Sequence, residues 1–368
     1  MGLKRVLICN TAQSLDLIGG SQAAIEDAID VLIEENWQVD YVSMRYKIDD
    51  KVIVNSQLTR YFLGNLSVGI LQFFKELFLL ISILKNNKYD LVWINSAKPW
   101  IFLGPFLSFD KSVYTFHGPI LEEQRLSGNL KLKQSVSKFI YKIICNNIDI
   151  IHFNTNYVKE AVLMEFRFLI NKKSIVKEVL VSEKNLKTKF QKFIQHDLVP
   201  KRISILIPRR LVTRTGVLKF LNFVTLIDAN IRNKFHFYIS GDGPERDRIL
   251  QLVSIYPNFE YLGLLKEKDF DYYFFNANVI CIPSVGAEGF CLPARNAVLL
   301  NKTVLSTSQG GLKETLHDYE NALDFSFNSI ESLEQSLKVI LEGSRKNISN
   351  LEGESSFRIR LHEVLLSY

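Results

Sequence analysis

Short apolar runs rich in β-branched and aromatic residues alternate along the chain with longer stretches in which apolar side chains recur every three or four positions. Runs 6–9, 39–43, 91–94, 113–116 and 148–153 predict buried strands, and stretches 21–35, 68–84 and 130–145 predict helices between them. Alternation of strands with helices implies parallel sheets covered on both faces. A lysine-rich, poorly periodic segment at 172–195 predicts the approach to a domain boundary. A second cycle starts at 203–207 and continues with 235–239, 259–262, 278–282 and 303–306. The pattern therefore predicts two Rossmann-like α/β domains, 1–195 and 196–350, and a terminal stretch, 351–368, with helical spacing from 355 to 366. Open α/β sheets bind ligands at their carboxyl edges, so the expected ligand site is a central cleft faced by both sheets.

Composition narrows the class. A length of 368 residues suits two domains of ordinary size, and 47% apolar with 23% charged residues is the balance of a folded globular protein. Four scattered cysteines offer no disulfide framework or metal site and suit a reducing cytoplasm. The start carries no signal-peptide pattern, and the most lipid-like stretch, 77–84, is too short to span a bilayer. Charge is uneven: residues 1–50 hold 4 basic and 9 acidic side chains, whereas 51–200 hold 21 basic and 11 acidic. Such a basic region can attract anionic lipid or a polyanionic acceptor, and it equally describes a solvated surface. No nucleic-acid module accompanies it, so nucleic acid is not an expected partner. The expected location is cytoplasmic, with peripheral contact at the inner face of the membrane.

Candidate chemistry sits where strands end. Residues 283–293, Pro-Ser-Val-Gly-Ala-Glu-Gly-Phe-Cys-Leu-Pro, follow a predicted strand and open a predicted helix, with Pro293 near its start. This places the Glu288 carboxylate beside a turn whose free N–H groups and helix dipole suit a diphosphate. Gly19-Gly20-Ser21 lies between the first strand and the first helix, where paired glycines let a backbone approach a phosphate. Tyr114-Thr115-Phe116-His117-Gly118 ends a strand with a histidine. Pro208-Arg209-Arg210-Leu211-Val212-Thr213-Arg214-Thr215-Gly216 sets guanidinium groups at another strand end, suited to bidentate diphosphate binding. Ser240-Gly241-Asp242-Gly243-Pro244 and Gln309-Gly310-Gly311-Leu312-Lys313-Glu314 mark two further turns.

These motifs, in this order, resemble those of the retaining family 4 (group 1) glycosyltransferases of the GT-B fold. Residues 288–293 match the family's E-G-F-G-L-P, with Asn296 where a second Glu stands. Residues 209–216 resemble G-R-L-x-x-x-K-G, and more closely a subset reading R-R-L-V-x-R-x-G, with Thr215 at the usual lysine. The resemblance implies a nucleotide-diphosphate sugar as donor, no cofactor and no metal. It assigns Arg210 and Arg214, with the amides of Gly289, Phe290, Cys291 and Leu292, to the diphosphate. Glu288 and His117 are assigned to the donor sugar and Asn296 to the ribose. Gly19 and Gly20 are assigned to a loop over the phosphates, and Gly310 and Gly311 to one side of the pocket. It also implies a terminal helix packed back on the first domain. The implied reaction moves a sugar to a hydroxyl of a glycan or lipid-linked glycan precursor in bacterial-type surface polysaccharide synthesis. Asn296, Thr215 and a missing Pro-Asn-Gly turn depart from the family pattern and leave two alternatives, a catalytically silent subunit supporting a partner transferase and a sugar-nucleotide epimerase. Asp269-Phe270-Asp271 imitates a metal-binding D-x-D at a helix start, and the sequons at Asn65 and Asn347 are patterns only.

Overall fold

The computed structural model describes residues 3–11, 20–45, 56–64, 70–121, 131–178, 186, 201–286, 288–343 and 361–365. Gly19, both sequons, and parts of segments 172–195 and 351–368 lie outside the described residues. The described residues fall into two compact units. The first draws on Met1–Leu121, Leu130–Ser182 and Glu354–Tyr368, and the second on Glu183–Gly353. The first unit's main segment closes at Ser182, inside the lysine-rich stretch that the periodicity places before the boundary.

The first unit is a seven-stranded sheet in the order β3-β2-β1-β5-β7-β8-β9. Its strands are β1 (Arg5–Thr11), β2 (Gln38–Arg45), β3 (Leu58–Gly64), β5 (Leu91–Ile94), β7 (Ser112–Phe116), β8 (Ile150–Phe153) and β9 (Ser174–Val176). Every pairing is parallel. A short parallel pair, β4 (Lys88–Tyr89) with β6 (Ser108–Phe109), stands beside it. The helices are α1 (Gly20–Glu34), α2 (Ile70–Leu84), α3 (Ala97–Leu103), α4 (Lys131–Asn146) and α5 (Asn156–Glu165). Side chains alternate across a strand, so β1 feeds two cores. Val6 and Ile8 pack with Ile25, Ile29 and Leu32 of α1, while Leu7 and Cys9 pack with α2, Trp100 of α3 and Cys145 of α4. Continuous apolar runs arise because both faces are covered.

Leu361, Val364 and Leu365 complete the α1-side core. Lys111 Nζ donates to the Leu365 carbonyl at 3.0 Å, and Lys177 pairs with Glu363 at 2.8 Å. Burial of three apolar side chains holds this terminal segment on the first unit.

The sheet interior also carries a buried polar chain. Trp93 Nε1 donates to Thr115 Oγ1 at 2.9 Å, and Thr115 Oγ1 lies 3.0 Å from His152 Nδ1. His152 Nε2 donates to the Lys177 carbonyl at 2.7 Å. A carbonyl can only accept, so the proton sits on Nε2 and Nδ1 accepts from the threonine hydroxyl. Burial lowers the His152 pKa to about 4, and the ring is neutral.

The second unit repeats the plan as a six-stranded parallel sheet, β12-β11-β10-β13-β14-β15. The strands are β10 (Ile203–Pro208), β11 (Phe235–Ser240), β12 (Phe259–Gly263), β13 (Val279–Ile282), β14 (Thr303–Ser306) and β15 (Ala322–Asp324). Around them run α6 (Val217–Thr225), α7 (Ala229–Arg232), α8 (Arg246–Ile255), α9 (Glu267–Asn276), α10 (Leu292–Leu299), α11 (Gly311–Leu316) and α12 (Ile330–Leu341). Ile205, Ile207, Phe235, Phe237 and Val279 meet Phe220, Leu221 and Leu337 in its core. Five strands, β3, β4, β6, β9 and β15, are absent from the periodicity reading. Each is short or carries a polar face, and Arg60 in β3 explains one case, since it forks onto Glu26 at 2.8 and 2.5 Å.

Candidate functional site

The carboxyl ends of β10 and β13 meet at the centre of the second sheet, where β10 pairs with both β11 and β13. Two loops leave there and are locked together. Val285 N donates to the Arg214 carbonyl at 2.9 Å. Gly216 sits at φ +70, and a Cβ there would lie 1.9 Å from the Pro283 carbonyl oxygen, so only glycine fits the approach. Gly241, at φ +141, lies equally close beneath the Arg209 carbonyl. The G-x-G-P turn after β11 is thus a backbone support for the arginine loop.

These supports bring Glu288 to a buried cluster. Ser284 Oγ donates to its Oε2 at 2.8 Å, Arg209 forms an ion pair with the same oxygen, and Arg214 Nη1 stands 3.9 Å away. Arg209 and Glu288 side chains are each 9% exposed. A buried charge is stable only when paired, and here two cations and a hydroxyl share one carboxylate oxygen. Arg209 Nη1 also donates to Cys291 Sγ at 3.1 Å. Burial works against the Arg209 charge, but Glu288 and Cys291 outweigh it, and its pKa is raised. Burial pushes the Cys291 thiol up to about 11, so it is no nucleophile at neutral pH. Gly311 N donates to the Glu288 carbonyl at 2.7 Å, which ties the di-glycine turn before α11 to the same loop. Gly310, at φ 59, precedes it.

One member of the cluster is absent from the sequence reading: Arg209, to which that reading gives no role, is the arginine paired with Glu288, and Arg210 beside it is exposed. The paired Arg209-Arg210 is visible in the sequence, but which of the two meets Glu288 is not. Thr215, at the usual lysine position, is 2% exposed, and its hydroxyl lies 2.5 Å from the Arg210 carbonyl and 2.7 Å from that of Val212. It closes its own turn. Gly289 and Cys291 are buried, Phe290 and Leu292 are half-buried, and Cys291 is the N-cap of α10. Asn296 is half-buried on α10, and its Oδ1 is a buried acceptor without a hydrogen-bond partner. A cavity of about 210 Å³ adjoins the cluster, lined by Ser284, Thr307, Gln309, Lys219 and Phe327.

His117 belongs to the first unit. It follows β7, while Asn95 follows β5 and Asn154 follows β8, so three adjacent strand ends converge. His117 Nε2 lies 2.9 Å from Asn95 Oδ1, and Nδ1 lies 3.2 Å from Asn154 Nδ2. The amide donates to Nδ1, which leaves the proton on Nε2. Burial, with His152 nearby, lowers the His117 pKa to about 4 and keeps the ring neutral. The two asparagines give no sequence signal beyond their place at strand ends. Gly20 is the first residue of α1. Asp269 and Asp271 lie within α9, Asp271 buried, and among the described residues no group of three His, Cys, Asp or Glu is placed to hold a metal.

Two family models match the chain, Glycosyltransferase Family 4 over residues 18–173 and Glycosyl transferases group 1 over residues 188–351. An uncharacterized glycosyltransferase of Methanocaldococcus jannaschii, MJ1178, is 25% identical over 265 residues, 70% of this chain and 66% of that protein. The match thus spans just under two thirds of that relative's length. The structure of WaaG, a glycosyltransferase involved in lipopolysaccharide biosynthesis, superposes with TM-score 0.69 at 13% identity, covering 98% of this chain and 99% of that one. Anabaena Alr3699/HepE in complex with UDP-glucose gives TM-score 0.68 at 13% identity, covering 98% and 95%. Two parallel-sheet α/β units with these neighbours define the GT-B fold class. The chain belongs to the group 1 glycosyltransferases.

Proposed function

We propose that this chain is a retaining glycosyltransferase that moves a sugar from a nucleotide-diphosphate sugar to a hydroxyl of a glycan or lipid-linked glycan precursor. The observation that carries the reading is the buried Glu288, held by Arg209 and Ser284 at the carboxyl edge of the second sheet, beside Arg214 and the start of α10. A carboxylate aimed by fixed donors is suited to sugar hydroxyls, and the half-buried Arg214 guanidinium beside it, with the exposed Arg210 on the same loop, is suited to a departing diphosphate. Arg210 and Arg214 take the diphosphate with the amides of residues 289–292. Glu288 takes the donor sugar, and His117 is assigned to that sugar through the family resemblance. The partnerless Asn296 Oδ1 takes a ribose hydroxyl. The incoming hydroxyl attacks from the face the diphosphate leaves, so the β-phosphate oxygen, held by arginine, receives its proton and no protein base is required. The UDP-glucose in HepE supports a nucleotide-sugar donor, and WaaG's role in lipopolysaccharide biosynthesis supports a lipid-linked acceptor in surface polysaccharide synthesis.

A silent supporting subunit is the second reading, favoured by Thr215, whose hydroxyl is spent within its own turn where the family carries a cation. One experiment separates the two. The purified chain is incubated with a panel of nucleotide sugars, and release of the nucleotide diphosphate is measured with and without excess EDTA. Release that survives EDTA and is lost in Glu288→Gln is the expected result. No binding and no release across the panel would assign the chain to the supporting role.

A further inference from the structure

Three helices of the first unit cover one face of its sheet. Phe73 and Leu77 of α2, Trp100 and Leu103 of α3, and Ile144 and Cys145 of α4 all enter the same core. α3 contacts α2 on one side and α4 on the other, so the three form a continuous layer. Their outward surface is unusually apolar. On α2, Leu71 is 89% exposed and Phe78 65%, with Phe74, Leu79 and Ile83 exposed beside them. On α4, Phe139 is 65% exposed, flanked by exposed Val136 and Ile143, and Ile101 of α3 and Phe106 continue the patch. Residues 71, 74 and 78 repeat the spacing of 136, 139 and 143, each a stripe along one side of its helix. A contiguous exposed apolar surface of this kind marks a docking face.

Charge identifies the occupant. α4 carries four lysines and no acidic residue. Lys138 and Lys142 are exposed next to Phe139 and Ile143, and α3 and α2 add exposed Lys98 and Lys75. An apolar stripe bordered by lysines inserts its apolar side chains between acyl chains while the ammonium groups reach lipid phosphates. A second copy meeting the same surface would set lysines against lysines. No described helix is long and apolar enough to cross a membrane. We propose that the outer surface of α2, α3 and α4 docks on an anionic lipid bilayer and lies along it, inserting Leu71, Phe74, Phe78 and Phe139. This does not rest on the transferase reading, and lipid binding is expected without any sugar nucleotide.

The test sediments the full chain with phosphatidylcholine vesicles, with and without phosphatidylglycerol. The chain should pellet with the anionic vesicles and remain in solution with the neutral ones, and raised salt should weaken the binding. Phe78→Ser/Phe139→Ser and Lys138→Gln/Lys142→Gln should each reduce partitioning about tenfold or more, since each removes two inserted side chains or two surface charges. All four positions are exposed, so melting temperatures should stay unchanged and confirm that the variants are folded. Failure to bind anionic vesicles, equal binding to neutral ones, or undiminished binding by both variants would overturn the proposal. A dimer that Phe78→Ser/Phe139→Ser converts to monomer, with no lipid binding, would assign the face to self-association instead.

Discussion

Arg209 and Glu288 behave as one electrostatic unit, because each buried charge is tolerated only through the other. Removing one partner should therefore cost more than removing both. Arg209→Met leaves the Glu288 carboxylate facing a more distant Arg214 and should destabilise the second unit by about 3–5 kcal/mol. Arg209→Met/Glu288→Leu should recover most of that loss in urea denaturation, yet bind no donor. A double variant no more stable than the single one would show that the loss comes from packing around Arg209 and not from a stranded charge. Asn296 gives a second test at this scale. An amide offers one acceptor where a carboxylate offers two with charge assistance. Asn296→Glu should keep or strengthen donor binding, and Asn296→Ala should weaken it by about 1–2 kcal/mol in calorimetry. Identical affinities in all three proteins would remove Asn296 from the site.

The loops depend on one backbone approach at the level of elements. Gly216 closes the arginine loop onto Pro283, and a methyl group there meets a carbonyl oxygen at 1.9 Å as well as an unfavourable φ of +70. Gly216→Ala should cost at least about 2 kcal/mol and should weaken donor binding, because the Arg214 carbonyl and Val285 N would separate. Unchanged stability, read by urea denaturation followed by circular dichroism, would show that the two loops move freely.

Much of this scaffold is legible in the chain. Runs such as 203–207 and 279–282 are apolar on almost every residue because helices cover both faces of their sheet, and burial on two sides leaves a strong signal. β3 leaves a weak one, since Thr59, Arg60 and Tyr61 read as polar until Glu26 and the Tyr41 ring supply Arg60 with partners. β9 and β15 are three residues each, too short for any period to show. The Glu288 loop is legible because its short string of distinctive residues falls between an apolar strand run and a helix start with Pro293 in its first turn. The choice between Arg209 and Arg210 is not, because two adjacent arginines read alike and the path of the loop after β10 is fixed by backbone bonds to the distant turn at Ser240 and Asp242. The clamp of Asn95 and Asn154 on His117 is hidden for another reason: its members come from three strands whose adjacency only the sheet order creates.

His117 and His152, whose pKa values are both lowered, lie in the first unit, and so do all three tryptophans, Trp37, Trp93 and Trp100. Tryptophan fluorescence therefore reports the unfolding of that unit alone. His152 titrates at about 4 in the folded chain, where burial opposes its charge. Once unfolded it returns to about 6.5. Between those values the unfolded chain binds the extra proton, so acid favours unfolding. The stabilisation is complete above the unfolded value and is lost as pH falls toward the folded one. At pH 5 the loss for His152 is about 2 kcal/mol, and His117, less deeply enclosed but shifted the same way, adds no more than a similar amount. Urea denaturation followed by tryptophan fluorescence should thus show a marked drop in stability between pH 7 and pH 5. His152→Gln should be less stable at pH 7, where it loses part of the Thr115–Lys177 chain, but should show a shallower fall with acid because it cannot take up the proton. Carboxylates titrate alike in both proteins, so the difference in slope belongs to the ring. Equal slopes would show that His152 is already charged, or solvated, in the folded protein, and would break the chain from Trp93 to Lys177 at its centre.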